Sequence, residues 1–319
     1  MEPALPPFHP RVPELLEHLK LRALDAIKWN LLACVPAGAE STEPTVVLKF
    51  GSEPRKTESI EYEIRIIRDV LPTVERDEFE RLVLPEYLDD GQFEDIRWMT
   101  ARFLPGRPLV HDWSESSRKQ EIWGGRGIDV GTAALAVGVL RDLRSVDIRS
   151  LPAFVRRFDF ARWLQEFGAK SETMIAKGFL ERPAVAAAVK ILTSAASRQY
   201  EGSMFTNGDF YPRNFILSEN GKIAVVDWVG GIDPWEFVAM YAWMMMWGNP
   251  QWQIAYLREI IEHFPLDVTE MRIGLLVRAF EQAYFWRDAA EDRIGPARNQ
   301  MLAYFQEALD EDYLRDLFS

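Results

Sequence analysis

The sequence predicts an α+β protein of two lobes: a small N-terminal lobe of antiparallel strands with helices, residues 1–103, and a larger, mostly helical C-terminal lobe, residues 104–319. Three observations carry this. Strand-like runs crowd the first third of the chain. The breaker segment Leu104-Pro105-Gly106-Arg107-Pro108 then ends that pattern. Beyond it, apolar residues recur mostly at helical spacing, interrupted by one hairpin. Strands first and helices afterwards mark segregated elements, not an alternating parallel α/β chain.

Taken in order, Val12, Leu15, Leu16 and Leu19 predict an amphipathic helix over Val12–Leu24. Two strands follow, Ile27–Val35 and Thr45–Phe50, joined by the loop Pro36–Pro44, rich in Pro, Gly, Ser and Thr. Ile60, Ile64, Ile67 and Leu71 predict a helix over Thr57–Leu71, closed by Pro72. Arg81–Leu88 and Phe93–Phe103 read as strands turning at Asp90-Gly91. Residues 111–200 read as mostly helical. Phe215–Leu217 and Lys222–Asp227 form a hairpin across Asn220-Gly221, and helices rich in aromatic residues fill the chain from Pro234 onward.

Composition narrows the function classes. A net charge of -12 argues against a nucleic-acid partner, because phosphate backbones need a basic footprint. The single cysteine, Cys34, excludes a disulfide framework and a cysteine-based zinc site. It sits in the apolar run Leu31–Val35 and reads as a buried, inert thiol. Histidines 9, 18, 111 and 263 have no ligand spacing. Met1–Pro13 lacks the apolar core of a secretory signal, and the most apolar stretch, Phe237–Trp247, is too short to span a bilayer. The expectation is a cytoplasmic protein with no membrane partner; nothing in the sequence fixes its oligomeric state.

The chemistry is concentrated in Thr206-Asn207-Gly208-Asp209-Phe210-Tyr211-Pro212-Arg213-Asn214 and in Val225-Val226-Asp227-Trp228. An Asp and an Asn five residues apart lead into a hairpin that ends on a second Asp, the order of a kinase catalytic loop and its metal-binding Asp. Asp and Asn are also common in turns. The hairpin and an upstream lysine favour the chemical reading. Phosphoryl transfer is catalysed by positioning and by neutralising charge on the phosphoryl oxygens. Mg²⁺, a hard cation, takes oxygen ligands, which Asn214 and Asp227 can supply. Asp209 can accept or orient the proton of an acceptor hydroxyl. Lys49, ending the apolar run Val46-Val47-Leu48, can hold the α/β-phosphates. Two carboxylates can orient it. Glu63 shares a helix face with Ile66, Ile67 and Val70 and is preferred; Glu61 shares its face with Ile64 and Arg65.

On these residues the chain resembles the aminoglycoside phosphotransferase and choline kinase-like family, which shares the protein-kinase-like fold. Asn207–Asn214 looks like that family's His-Gly-Asp-x-x-x-x-Asn loop, Val225–Trp228 like its metal-binding segment, and Val47–Lys49 like its phosphate-binding strand. Trp98–Leu109 is similar to its inter-lobe linker, where the backbone around Arg102 and Leu104 would hydrogen-bond adenine. The resemblance covers residues 27–245 and implies an N-terminal nucleotide-binding lobe and a C-terminal lobe for catalysis and substrate. It implies Mg²⁺-dependent transfer of the γ-phosphate of ATP or GTP to a hydroxyl of a small molecule, aminoglycoside-like or an amino alcohol. The short Val229-Gly230-Gly231 leaves no long activation loop, which favours small acceptors over proteins.

Three departures stand out. Asn207 replaces the family's usual His, no glycine-rich loop lies between residues 20 and 35, and Glu236 stands where an Asp often opens a helix. The first two motivate an alternative, a catalytically weak pseudokinase that binds nucleotide or a partner without transfer. Trp243–Trp247, Trp252 and Tyr256 offer either an adaptable aromatic pocket or plain helix core. Glu281, Asp288 and Glu291 offer either a lining for a basic acceptor or a solvated helix face.

Overall fold

A computed structural model describes residues 9–28, 30–74, 79–109, 124–195 and 203–318. The expected helicity of 111–200 can therefore be followed only over 124–195, and His111 lies outside the described residues. The fold is α+β, with an antiparallel-sheet lobe at the N-terminus and a larger helical C-terminal portion, as the pattern predicts. Contacts divide the chain into two units: residues 1–108 with 216–229, and residues 109–215 with 230–319. Among the described residues, no helix is long and apolar enough to cross a membrane.

The first unit begins with α1 (Val12–His18), shorter than expected. Lys20 adopts a left-handed φ of 53° and stops the helix, and Leu21–Lys28 forms strand β1. β1 pairs with β2 (Leu31–Pro36), so the single expected strand over Ile27–Val35 is two. Two register shifts in this pair, at Ala23/Asp25 and Ala26/Lys28, break the period-2 alternation that would have revealed β1. β2 pairs with β3 (Val46–Gly51), β3 with β6 (Ile96–Arg102), and β6 with β5 (Tyr87–Phe93), all antiparallel, giving the order β1-β2-β3-β6-β5. Leu15, Leu32, Cys34, Leu48, Phe50, Ile96 and Trp98 form the core under one face of this sheet. Burial pushes the Cys34 thiol up to about 12, which suits an unreactive side chain.

The Asp90-Gly91 pair is not the turn. It lies inside β5, opposite Met99 and Trp98, and the chain turns at Glu94-Asp95, with Glu94 at φ 51°. Gly91 is needed for a different reason: a Cβ there would sit 2.6 Å from the Trp98 ring. Helix α2 (Pro54–Arg65) starts on a proline at its first turn and widens to π geometry over Ile66–Val70. A second sheet, ordered β4-β10-β9-β7, joins β4 (Leu82–Val83), β7 (Arg107–Pro108), β9 (Phe215–Leu217) and β10 (Ile223–Val225). The hairpin between β9 and β10 turns at Gly221, φ 76°.

The second unit contains helices α3 (Thr132–Ser145), α4 (Phe160–Ala176) and α5 (Arg182–Ala195). A two-stranded antiparallel pair, β8 (Ser203–Phe205) with β11 (Ile232–Pro234), precedes α6 (Trp235–Met244), α7 (Pro250–His263), α8 (Val268–Phe285), α9 (Glu291–Glu307) and α10 (Glu311–Leu317). Its core is aromatic: Phe167 lies 4.5 Å from Phe280, and Trp252 stacks on Tyr256 at 4.8 Å. Trp243, Met244, Met245, Met246, Trp252 and Tyr256 are all buried there, so this aromatic stretch is helix core.

Candidate active site

In the first unit, strand alternation aims Lys49. Leu48 and Phe50 point into the core, so Lys49 points to the opposite face of β3. Helix α2 presents Glu63 with Ile60, Ile64 and Ile67 on its buried face, and Glu63 is 2% exposed. Lys49 Nζ donates to Glu63 Oε2 at 2.5 Å, and also to Asp227 Oδ1. Glu61 points elsewhere, to Arg97 Nε at 2.6 Å. Asp227 follows β10 with φ 62°, a left-handed conformation that Asp tolerates better than most residues. The next residue, Trp228, donates its backbone N–H to Glu63 Oε1 at 3.3 Å and its indole N–H to the Val225 carbonyl at 2.8 Å. Glu63 is thereby held by a side chain and a backbone amide.

The charges follow the geometry. Burial alone would lower the Lys49 pKa, but the carboxylates of Asp227 and Glu63 outweigh it and hold the ammonium above its ordinary value. Burial pushes Glu63 up against the opposing pull of Lys49.

Arg102 and Leu104 lie where β6 ends. The Arg102 N–H donates to the Glu86 carbonyl at 2.9 Å and the Phe103 N–H to that of Thr45 at 3.0 Å. The exposed Arg102 side chain pairs with Glu86, Nε to Oε2 at 2.7 Å. Leu104 sits half-buried in the extended segment that follows.

In the second unit, the residues of the Asn207–Asn214 loop cluster. Asn214, on a single turn of 3₁₀ helix over Pro212–Asn214, donates Nδ2 to both the carbonyl and Oδ2 of Asp209, each at 2.8 Å. That commitment turns the amide oxygen of Asn214 away from Asp209. Asn207 is fully buried and donates to the Asp209 carbonyl at 3.3 Å, a loop-organising contact within reach of an amide. Thr206 N–H donates to the Gly231 carbonyl at 2.8 Å. A Cβ on Gly230 would meet Gly208 N at 2.2 Å, so only glycine lets these backbones approach.

Two residues that sequence reasoning passed over complete this cluster. Tyr241 donates its hydroxyl to Asp209 Oδ1 at 2.5 Å. Arg278 is clamped by Asp233 at 2.8 Å and Glu281 at 2.7 Å, while Glu281 also accepts from Trp163 Nε1 at 2.9 Å. Tyr241 hid in an apolar helical run, where a tyrosine reads as core. Arg278 had no motif at all. Glu281 is therefore a partner of Arg278 and Trp163, and exposed Asp288 pairs with Lys177 at 2.9 Å. The Glu291 side chain lies outside the described residues.

Among the described residues, no group of three or more His, Cys, Asp and Glu could hold a metal ion.

Comparison with known proteins gives the class. The chain belongs to the phosphotransferase enzyme family, whose model matches residues 38–265. It is thus a small-molecule kinase by family. Solved structures share its fold. A thermostable mutant of the aminoglycoside phosphotransferase APH(4)-Ia, in a ternary complex with ADP and hygromycin B, is 17% identical with a TM-score of 0.58, covering 96% of this chain and 98% of that one. The spectinomycin phosphotransferase APH(9)-Ia, in complex with ADP and spectinomycin, is 14% identical with a TM-score of 0.53, covering 96% and 97%. ADP-bound APH(2'')-Ib is 14% identical with a TM-score of 0.58, covering 93% and 97%. No curated protein matches the chain.

Proposed function

We propose that this protein transfers the γ-phosphoryl group of ATP or GTP to a hydroxyl of a small molecule, an aminoglycoside-like compound or an amino alcohol, in a Mg²⁺-dependent reaction. The half-buried Lys49, ion-paired to both Glu63 and Asp227, is the observation that carries the reading. A cation fixed by two carboxylates is a phosphate-binding group preorganised before nucleotide arrives. The three neighbours described all carry ADP in their structures, which supports a nucleotide donor.

The roles follow residue by residue. Lys49 holds the α/β-phosphates, and Glu63 orients it. Backbone groups around Arg102 and Leu104 receive the base. Asn214 and Asp227 hold the metal, which when bound neutralises charge on the transferring phosphoryl group. Asp209 orients the acceptor hydroxyl. As the acceptor oxygen bonds to phosphorus, the bond from phosphorus to the bridging oxygen breaks. The diphosphate leaves with that electron pair, and Asp209 takes the hydroxyl proton.

The test is a transfer assay with ATP and, separately, GTP, with and without Mg²⁺, across hygromycin B, kanamycin, spectinomycin, choline, peptides and a no-acceptor control. Labelling of a small alcohol is the expected result. Nucleotide binding without transfer to any acceptor would return the chain to the pseudokinase alternative, and labelling of peptides alone would overturn the acceptor class. The contact from Asn207 to the Asp209 carbonyl supports activity despite the missing His.

A further inference from the structure

The Asp209 carboxylate is gripped at both oxygens. Oδ2 accepts from Asn214 Nδ2 at 2.8 Å, and Oδ1 accepts from the Tyr241 hydroxyl at 2.5 Å. The two donors come from different elements, the 3₁₀ turn within the loop and helix α6. This matters because the last torsion of an Asp side chain is broad and roughly two-fold. One donor leaves the carboxylate free to swing about that bond; two, arriving at opposite oxygens, fix its plane.

Tyr241 is itself a fixed reference. Its ring meets Tyr211 edge-on, at 6.0 Å and 90°. Helix α6 is anchored by Phe237, which packs edge-on against Phe158 at 5.2 Å. It also lies close to α8: a Cβ on Gly274 would be 3.0 Å from the Glu236 carbonyl. Burial first, and then the Asp209 charge, push the Tyr241 hydroxyl well above its ordinary pKa, while Arg278 pulls the other way. The hydroxyl keeps its proton and acts as a donor.

We propose that Tyr241 is a positioning residue whose hydroxyl sets the plane of the Asp209 carboxylate, so that its remaining lone pairs face the acceptor hydroxyl. The kinetic consequence rests on the phosphotransferase reading above; the structural one does not. A bound alcohol presents its proton from one direction, whereas water can adjust. Loss of the grip therefore harms transfer more than nucleotide hydrolysis.

The test is Tyr241→Phe, which removes the hydroxyl and keeps the ring against Tyr211. With the acceptor identified by the transfer assay, kcat for transfer should fall roughly ten- to a hundredfold, the scale of a misaligned catalytic group. The KM for nucleotide should stay within about twofold, and acceptor-independent hydrolysis should fall less than transfer. Loss of packing alone would not produce that split. Unchanged transfer, or equal losses in transfer and hydrolysis, overturns the kinetic claim. Crystal structures of the wild type and Y241F without nucleotide form the second arm. Rotation of the Asp209 carboxylate in the variant is expected; an unchanged plane overturns the proposal even if no acceptor is ever found. A wild type that transfers to nothing defeats the phosphotransferase reading, and the crystallographic arm still decides Tyr241.

Discussion

Replacing Lys49 by Met keeps the aliphatic stem and removes the charge between two carboxylates. Glu63 is the residue that suffers, because it is 2% exposed and Asp227 stands across the same ammonium, with 25% of its side chain exposed. Removing one partner of a buried ion pair costs about 3–5 kcal/mol, since the other charge is left uncompensated in a poorly solvated place. Glu63 can escape that cost by taking a proton. Burial already raises its pKa against the pull of Lys49, so losing the lysine raises it further. A carboxyl whose folded pKa lies above its unfolded value of about 4.3 contributes stability below that value and loses it as pH rises through the folded pKa. The deficit of Lys49→Met should therefore be about 1 kcal/mol near pH 5 and grow to about 3 kcal/mol near pH 8. Urea denaturation followed by tryptophan fluorescence at both pH values measures it. Equal deficits at the two, or one below about 1 kcal/mol at the higher pH, would refute the claim that Glu63 depends on Lys49 for its charge.

Further outcomes are expected at four positions. Asp227→Ala should lose at least about a hundredfold in Mg²⁺-dependent turnover, as removal of a charge stabiliser does, whereas Asp209→Asn should lower kcat while calorimetry finds nucleotide affinity largely kept. Asn207→His should stay folded and active within roughly tenfold, while Asn207→Leu, which cannot donate to the Asp209 carbonyl, should lose loop order and activity in kinetic and thermal-melt assays. Glu236, pushed up to about 7 mainly by burial, contributes stability at low pH that is lost as pH rises toward and through about 7. Glu236→Gln should flatten the fall in Tm over that range, and a wild-type Tm that does not fall there contradicts the shift.

What the sequence displays and what it hides have physical causes. The β9–β10 hairpin was legible because Asn220-Gly221 supplies the left-handed turn itself. Lys49 and Glu63 were legible because strand and helix periods leave one polar residue on an otherwise apolar face. β1 was not, since two bulges scramble its alternation and the helical spacing before it runs on unbroken. Asp90-Gly91 misled because a glycine that makes room for an indole is spelled like one that makes a turn. Tyr241 was invisible for a similar reason: its ring satisfies the core pattern, and only the fold reveals where the hydroxyl ends up.

The first unit is not one stretch of chain: it takes in residues 1–108 and then 216–229. On the ribosome this has an order. Lys49 and Glu63 emerge together and can pair at once, but the second carboxylate on that ammonium, Asp227, is made 178 residues after Lys49. The parallel partner of β4, strand β10, arrives equally late, Leu82 waiting for Ile223. A nascent chain stalled before residue 216 therefore holds a half-compensated lysine and an unpaired strand. Splitting the gene at the Pro105-Gly106 break would divide the Lys49–Asp227 ion pair between two polypeptides.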